Sequence, residues 1–222
     1  MAKPPVVGRV KTRLISPLTA RQASDIHGAM VRCVLARVGA VFGGGSSARL
    51  ILALDDASGP AGGGFWRSLA LDPVWQVADQ GSGDLGERLA RVWRRLGGGP
   101  AVFLGSDSPD TPEESLRGVL RALSGADIVL GPVSDGGYWT IAGRRLDARL
   151  FDRIDWGTSR VYDQTRAAAD RAGLSVALVP RWFDVDRAKD LVALRRRIAV
   201  SHDGALMELR AQLDRICEGT QS

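Results

Sequence analysis

A three-layer α/β/α sandwich with a mainly parallel sheet is the fold class this sequence predicts, and three observations carry it. Short apolar runs, too brief for helices, recur at Arg49–Leu54, Ala101–Leu104 and Asp127–Leu130. Stretches of helical periodicity alternate with them, the pattern of strand-helix units. The run Ala101-Val102-Phe103-Leu104 then stops at Gly105-Ser106-Asp107, which puts a carboxylate where a parallel strand ends and the chain turns toward a helix. In open α/β sheets that crevice is where ligands bind. A carboxylate there suits a divalent cation better than a core.

The elements follow in order. Residues 1–18 read as a loop, with Pro4, Pro5 and Pro17 excluding regular structure over much of it. Thr19-Ala20-Arg21-Gln22 is a capping box that opens a helix from Ala20 to Arg37. A flexible connector at 43–47 leads to the strand at 49–54, which ends in Asp55-Asp56. The glycine-rich stretch 57–64 reads as a loop, an insertion or lid. Val74–Val77 is a short strand, and Asp84 caps a helix running to Leu96. After the strand at 101–104, Thr111 reads as an N-cap with Pro112 at N1 and Glu113 and Glu114 in the first turn. Strands follow at 127–130 and 138–142, then a helix from Val161 to Ala172 stopped by Gly173, and a last strand at 174–179. Two amphipathic helices close the chain, 188–200 and 204–217.

With 222 residues, 45% apolar and 25% charged, the chain is long enough for a sizeable core and has the make-up of a soluble globular protein. One domain over 1–200 is expected, with the segment 201–222 as a C-terminal helix packed on it. No apolar run reaches membrane-span length, and Met1-Ala2-Lys3-Pro4-Pro5 has no signal-peptide core. Cys33 and Cys217 lack metal-ligand spacing and read as reduced thiols, in keeping with a cytoplasmic protein. His27 and His202 lie far apart and read as helix-surface residues, not zinc ligands. The net charge of +5 comes from scattered arginines, Lys3, Lys11 and Lys189 being the only lysines. Scattered charge speaks against nucleic acid and leaves anionic small molecules as ligands.

Five further stretches carry candidate chemistry. Gly8-Arg9-Val10-Lys11-Thr12-Arg13-Leu14 sets three cations and a hydroxyl on a glycine-opened loop, a cradle for polyphosphate. It is not a P-loop, and a solvated basic loop is the alternative. In Asp184-Val185-Asp186 both carboxylates face one way if the segment is extended. Two carboxylates about 4 Å apart repel by roughly 4 kcal/mol at an effective dielectric near 20, so a cation is called for if Asp107 joins them. Mg²⁺ is typically held by one or two carboxylates plus substrate phosphates. The alternative is that Asp186 caps the next helix. Asp135-Gly136-Gly137-Tyr138 lets the backbone approach a ligand, or is an ordinary turn. Gly83-Asp84-Leu85-Gly86-Glu87-Arg88 and Trp156-Gly157-Thr158 precede helices and either bind ligand or simply cap.

Taken in order, these six segments, with Gly105–Asp110 among them, resemble a bacterial family of GT-A-type transferases, the radical-SAM/selenodomain-associated glycosyltransferases. That family is related to the guanylyltransferases of cofactor biosynthesis, and the resemblance spans about residues 2–195. It implies a nucleotide-diphospho-sugar transferase fold. Relatives place an apolar strand before the basic loop, whereas this chain begins at the loop, so the sheet is expected to lack its first strand. The bare edge this leaves offers a pairing surface to a second copy, hence a homodimer. A further departure is that Asp186 is followed by Arg187-Ala188-Lys189-Asp190-Leu191, where relatives commonly have Thr-Pro-Glu-Asp-Leu.

The resulting expectation is a metal-dependent glycosyltransferase acting from a nucleotide sugar on a small-molecule acceptor. Asp107, Asp184 and Asp186 would hold Mg²⁺ or Mn²⁺. Gly8, Arg9, Lys11, Thr12, Arg13, Asp84 and Ser106 would hold the nucleotide. Asp135, Gly136, Gly137, Tyr138 and Thr158 would face the acceptor, with Asp135 as general base and Lys11 also catalytic. The alternatives are a nucleotidyltransferase that releases pyrophosphate and a non-catalytic nucleotide-binding protein.

Overall fold

In the computed structural model, residues 1–44, 48–55, 59–69, 71, 73–145 and 148–218 are described. Along them run α1 (Ala20–Phe42), β1 (Leu50–Leu54), α2 (Pro60–Ser68), β2 (Trp75–Asp79), α3 (Leu85–Arg95) and β3 (Ala101–Leu104). There follow α4 (Glu113–Gly125), β4 (Ile128–Pro132), β5 (Tyr138–Gly143), α5 (Val161–Arg171), β6 (Val176–Leu178), α6 (Ala188–Ile198) and α7 (Gly204–Glu218). Short 3-10 turns stand at Thr12–Leu14 and Ala148–Phe151. They gather into two compact units, each assembled from separated stretches of chain.

The first unit comprises Met1, Ala78–Gly105 and Thr111–Phe183. Its sheet has the order β3-β5-β4-β6. β4 and β6 are parallel, and β5 runs antiparallel between β3 and β4. Three of the four strands therefore point the same way, as the alternating strand-helix pattern requires, and β5 is inserted against them. Ile128, Val129 and Leu130 have no exposed surface, which is why β4 reads as an uninterrupted apolar run. α4 packs on β4, β5 and β6. Its helix starts at Glu113, one residue later than a Thr111 cap would set it, and Pro112 precedes it without a side-chain cap.

The second unit comprises Ala2–Val77, Ser106–Asp110 and Asp184–Ser222. α1 is its centre, opened by the Thr19–Gln22 capping box. One face of α1 packs with α6, α7 and the loop residues Leu14 and Val185 through Ile26, Met30 and Leu194. Its other face, at Val31 and Leu35, meets Leu52 and Leu54 of β1 and Phe65 and Leu69 at α2. A helix covered on both sides buries its polar residues too, so His27 and Arg37 are interior, at 4% and 7% exposure. His27 is thus not the helix-surface residue its neighbours in sequence suggest. The glycine-rich stretch is not a loop from Pro60 on. Gly59 caps and Pro60 occupies the first turn of α2, whose Phe65 reaches the core. Ala57 and Ser58 of that stretch, Asp56, and Gly45–Ser47 of the expected connector lie outside the described residues. Ala2 pairs with Leu54 as an isolated parallel bridge, its N–H donating to the Ala53 carbonyl at 2.9 Å, so a single bridge rather than a full strand precedes the basic loop. No described helix is long and apolar enough to cross a membrane.

Candidate active site

The basic loop is held by its last residue. Leu14 is fully buried in the α1–α6–α7 core, and its N–H bonds back to the Lys11 carbonyl at 2.9 Å. Gly8 turns the chain at φ 76°, in the left-handed region that glycine enters freely. Lys11 also sits there, at φ 46°, at a cost on the order of 1 kcal/mol for a residue with a side chain. The conformation sends the Lys11 side chain inward, while Arg9, Thr12 and Arg13 stay exposed.

Only 4% of the Lys11 side chain is exposed, and its ammonium has three acceptors. It donates to Asp107 Oδ1 at 2.6 Å, to the Val185 carbonyl at 2.6 Å and to Asp186 Oδ1 at 3.3 Å. Arg13 reaches the other oxygen of Asp186, also at 3.3 Å. An ammonium has three N–H donors, so the set is complete. Lys11, expected on nucleotide phosphates, instead joins the carboxylate after β3 to the carboxylate before α6.

The segments carrying those carboxylates are pinned together. The Val185 N–H donates to the Asp107 carbonyl at 2.9 Å. Val185 is fully buried between Asp184 and Asp186, which are half-buried, so the period-two alternation expected of Asp-Val-Asp is present. Their carboxylate oxygens come within 4.8 Å of each other. Asp186 does not cap α6. Arg187 is the cap residue, and the carboxylate of Asp190 accepts from the N–H groups of Asp186 and Arg187. Asp186 is therefore left to the cations.

Two arginines that the sequence reading missed anchor the same segment. Arg37 on α1 donates to the Pro109 carbonyl at 2.9 Å and pairs with Asp203 at 2.8 Å. Arg197 on α6 pairs with the buried Asp110 at 2.5 Å. His27 donates from Nε2 to the Lys3 carbonyl at 2.9 Å, and its Nδ1 has no partner. Burial holds this imidazole below its ordinary range, opposed by the Lys3 carbonyl and by the charge of Asp107. Spacing alone contains no signal for these three. Their acceptors are distant in sequence, and only the two-sided burial of α1 could have hinted at His27 and Arg37.

In the first unit, the other predicted residues serve their own chain. Gly136, at φ 91°, lies where a Cβ would come 2.0 Å from the Ser159 carbonyl oxygen, and its own carbonyl accepts from the Tyr162 N–H at 2.8 Å. The paired glycines thus admit the start of α5, where a ligand was expected. Asp135 is exposed, with one oxygen accepting from the Gly137 N–H at 3.1 Å. The Tyr138 hydroxyl is shut away beside Thr165, neither hydroxyl having a well-formed partner, and burial pushes the phenol above its ordinary range. That hydroxyl has no exposed surface to offer a ligand. Thr158 spends its hydroxyl on the Asp155 carbonyl at 2.8 Å. Asp84 and Glu87 form a complete capping box on α3, and Gly86 is packed against Trp156 and Phe151. Ser106, which belongs to the second unit, is half-buried next to Asp107.

The mixed α/β chain has the nucleotide-diphospho-sugar transferase fold. The chain is similar to a solved structure of a protein from Desulfovibrio desulfuricans G20 provisionally assigned to the nucleotide-diphospho-sugar transferases. The two share 30% identity over 97% of this chain and 95% of the other, with a TM-score of 0.82. Residues 44–158 match the family described as "uncharacterized protein conserved in bacteria" (DUF2064). The chain belongs to that family. Comparison with curated proteins gave no match.

Proposed function

We propose that this chain is a cytoplasmic glycosyltransferase that moves a sugar from a nucleotide-activated donor to a small-molecule acceptor with the help of Mg²⁺ or Mn²⁺. Its ordered motifs resemble those of the radical-SAM/selenodomain-associated glycosyltransferases. One observation carries the reading. The basic loop folds onto Asp107 and Asp186 through the buried ammonium of Lys11, leaving Arg9 exposed on the loop and Arg13 exposed against Asp186. Electrostatics of this kind suit a departing diphosphate. The similarity to a provisionally assigned nucleotide-diphospho-sugar transferase points the same way.

The chain's own residues would divide the work. Arg9 and Arg13 would meet the diphosphate oxygens, Arg13 while keeping its contact with Asp186. Lys11 would hold the two carboxylate-bearing segments in place. Asp184 and Asp186 have carboxylate oxygens close enough to share one ion, and they would hold the metal. When bound, Mg²⁺ or Mn²⁺ offsets charge on the leaving diphosphate. Asp135, exposed on its turn, would accept the proton of the acceptor hydroxyl as the anomeric C–O bond forms.

The test is a panel of nucleotide sugars and nucleoside triphosphates with Mg²⁺ or Mn²⁺ and a range of acceptors, with the released product identified by chromatography. Release of nucleoside diphosphate that depends on acceptor is the expected outcome. Pyrophosphate release from a triphosphate would replace the reading by nucleotidyl transfer, and metal-dependent nucleotide binding with no turnover across the panel would replace it by a binding protein.

A further inference from the structure

We infer that Lys11, not a divalent cation, is the resident counter-ion of the Asp107–Asp186 pair, so that Asp107 stays outside the metal shell. The inference rests on the metal reading proposed above and says which of the candidate carboxylates takes part in it. Asp107 then acts through Lys11, as a positioning residue.

Distance is the first ground. Mg²⁺ binds carboxylate oxygen at about 2.0–2.1 Å. The Lys11 nitrogen already stands 2.6 Å from Asp107 Oδ1 and 3.3 Å from Asp186 Oδ1. An ion bridging those two oxygens would have to occupy the space of the ammonium. Charge is the second. The ammonium meets Asp107 at 2.6 Å, whereas Asp186 stands 3.3 Å from both Lys11 and Arg13. Asp107 is therefore the carboxylate whose charge the lysine answers most closely, and Asp186 is the one left to the metal.

The third ground is that the ammonium has no easy way out. Its side chain is 4% exposed, and its third acceptor is the carbonyl of Val185, a residue with no exposed surface. Its backbone is fixed by the turn that Leu14 anchors in the core. Leaving would strand the carbonyl of the buried Val185 without its donor. Asp184, whose carboxylate oxygen lies within 4.8 Å of that of Asp186, remains the partner of Asp186 in the metal reading.

Mn²⁺ titrations followed by electron paramagnetic resonance, without nucleotide, test this on the full chain. Asp107→Asn, close to isosteric, is expected to leave Mn²⁺ affinity within about twofold of wild type. Lys11→Met vacates the space between Asp107 and Asp186 and is expected to tighten Mn²⁺ binding at least about tenfold, a gain erased in Lys11→Met/Asp107→Asn. A tenfold loss on Asp107→Asn overturns the inference, as does a folded Lys11→Met protein with no gain. Should Lys11→Met fail to fold by circular dichroism, the Asp107→Asn titration decides alone. Asp184→Asn reports separately on the metal reading. It is expected to abolish wild-type Mn²⁺ binding, and a wild-type protein that takes up no Mn²⁺ overturns that reading while the Lys11→Met gain still decides the counter-ion.

Discussion

The segment that carries Asp107 ends at Asp110, and the ion pair there gives an asymmetric prediction. Arg197 donates from Nε to Asp110 Oδ2 at 2.5 Å and from a terminal nitrogen to Oδ1 at 3.4 Å. The Asp110 side chain is 4% exposed and that of Arg197 is 26%. Arg197→Met therefore leaves a carboxylate shut away from water without its main cation. Removing one partner of a buried pair costs about 3–5 kcal/mol, and about 3 is the fitting figure for a pair with one partly exposed member. Asp110→Asn keeps an acceptor on the site, and the guanidinium can turn toward solvent, so its loss is about 1–2 kcal/mol. In the Asp110→Asn background, Arg197→Met should cost about 1 kcal/mol or less, since no buried charge remains to be abandoned. Urea unfolding followed by tryptophan fluorescence, with all four proteins on a common slope, measures the cycle. An Arg197→Met loss no larger than that of Asp110→Asn would show that burial of the carboxylate does not govern this contact.

Two further perturbations test the first unit. Gly136→Ala sets a methyl against the Ser159 backbone, 2.0 Å from its oxygen, at φ 91°. Backbone cannot step aside as a side chain can, so a loss of about 2–4 kcal/mol is expected in a thermal melt, and an unchanged melt would mean the turn is not seated on α5. Asp127 accepts from the Ser175 hydroxyl and N–H and from Arg144, which hold its carboxyl down to about 2 from an ordinary 3.8. A depressed carboxyl adds stability that is complete above its unfolded value and fades as the pH falls from about 3.8 toward 2. Asp127→Asn should flatten the fall in melting temperature across that window, and an equal slope in both proteins would show that Asp127 contributes nothing there.

Much of the frame was legible because it depends on neighbours in sequence. Both capping boxes, Thr19–Gln22 and Asp84–Glu87, need only residues three apart. β3 is found at the residues its apolar run marks, and Asp184 and Asp186 alternate with a buried Val185 as an extended segment requires. Where long-range packing outvoted local preference, the reading failed. α2 forms across a run of glycines because its Phe65 reaches the core beside Leu52 and Leu54. Gly136 opens toward Ser159, and the Tyr138 hydroxyl toward Thr165, for reasons that lie in a helix more than twenty residues away.

By itself the sequence determined that carboxylates and cations were present in numbers that must be paired, since like charges at a strand end repel and local spacing reveals their common face. Tertiary structure alone decided the pairing. A lysine backbone turned inward at φ 46°, anchored by a leucine three residues on, brings its ammonium to carboxylates about a hundred and about 175 positions away. Such contacts are set by the packing of α1, α6 and α7 around that leucine, and no pattern within the loop encodes them.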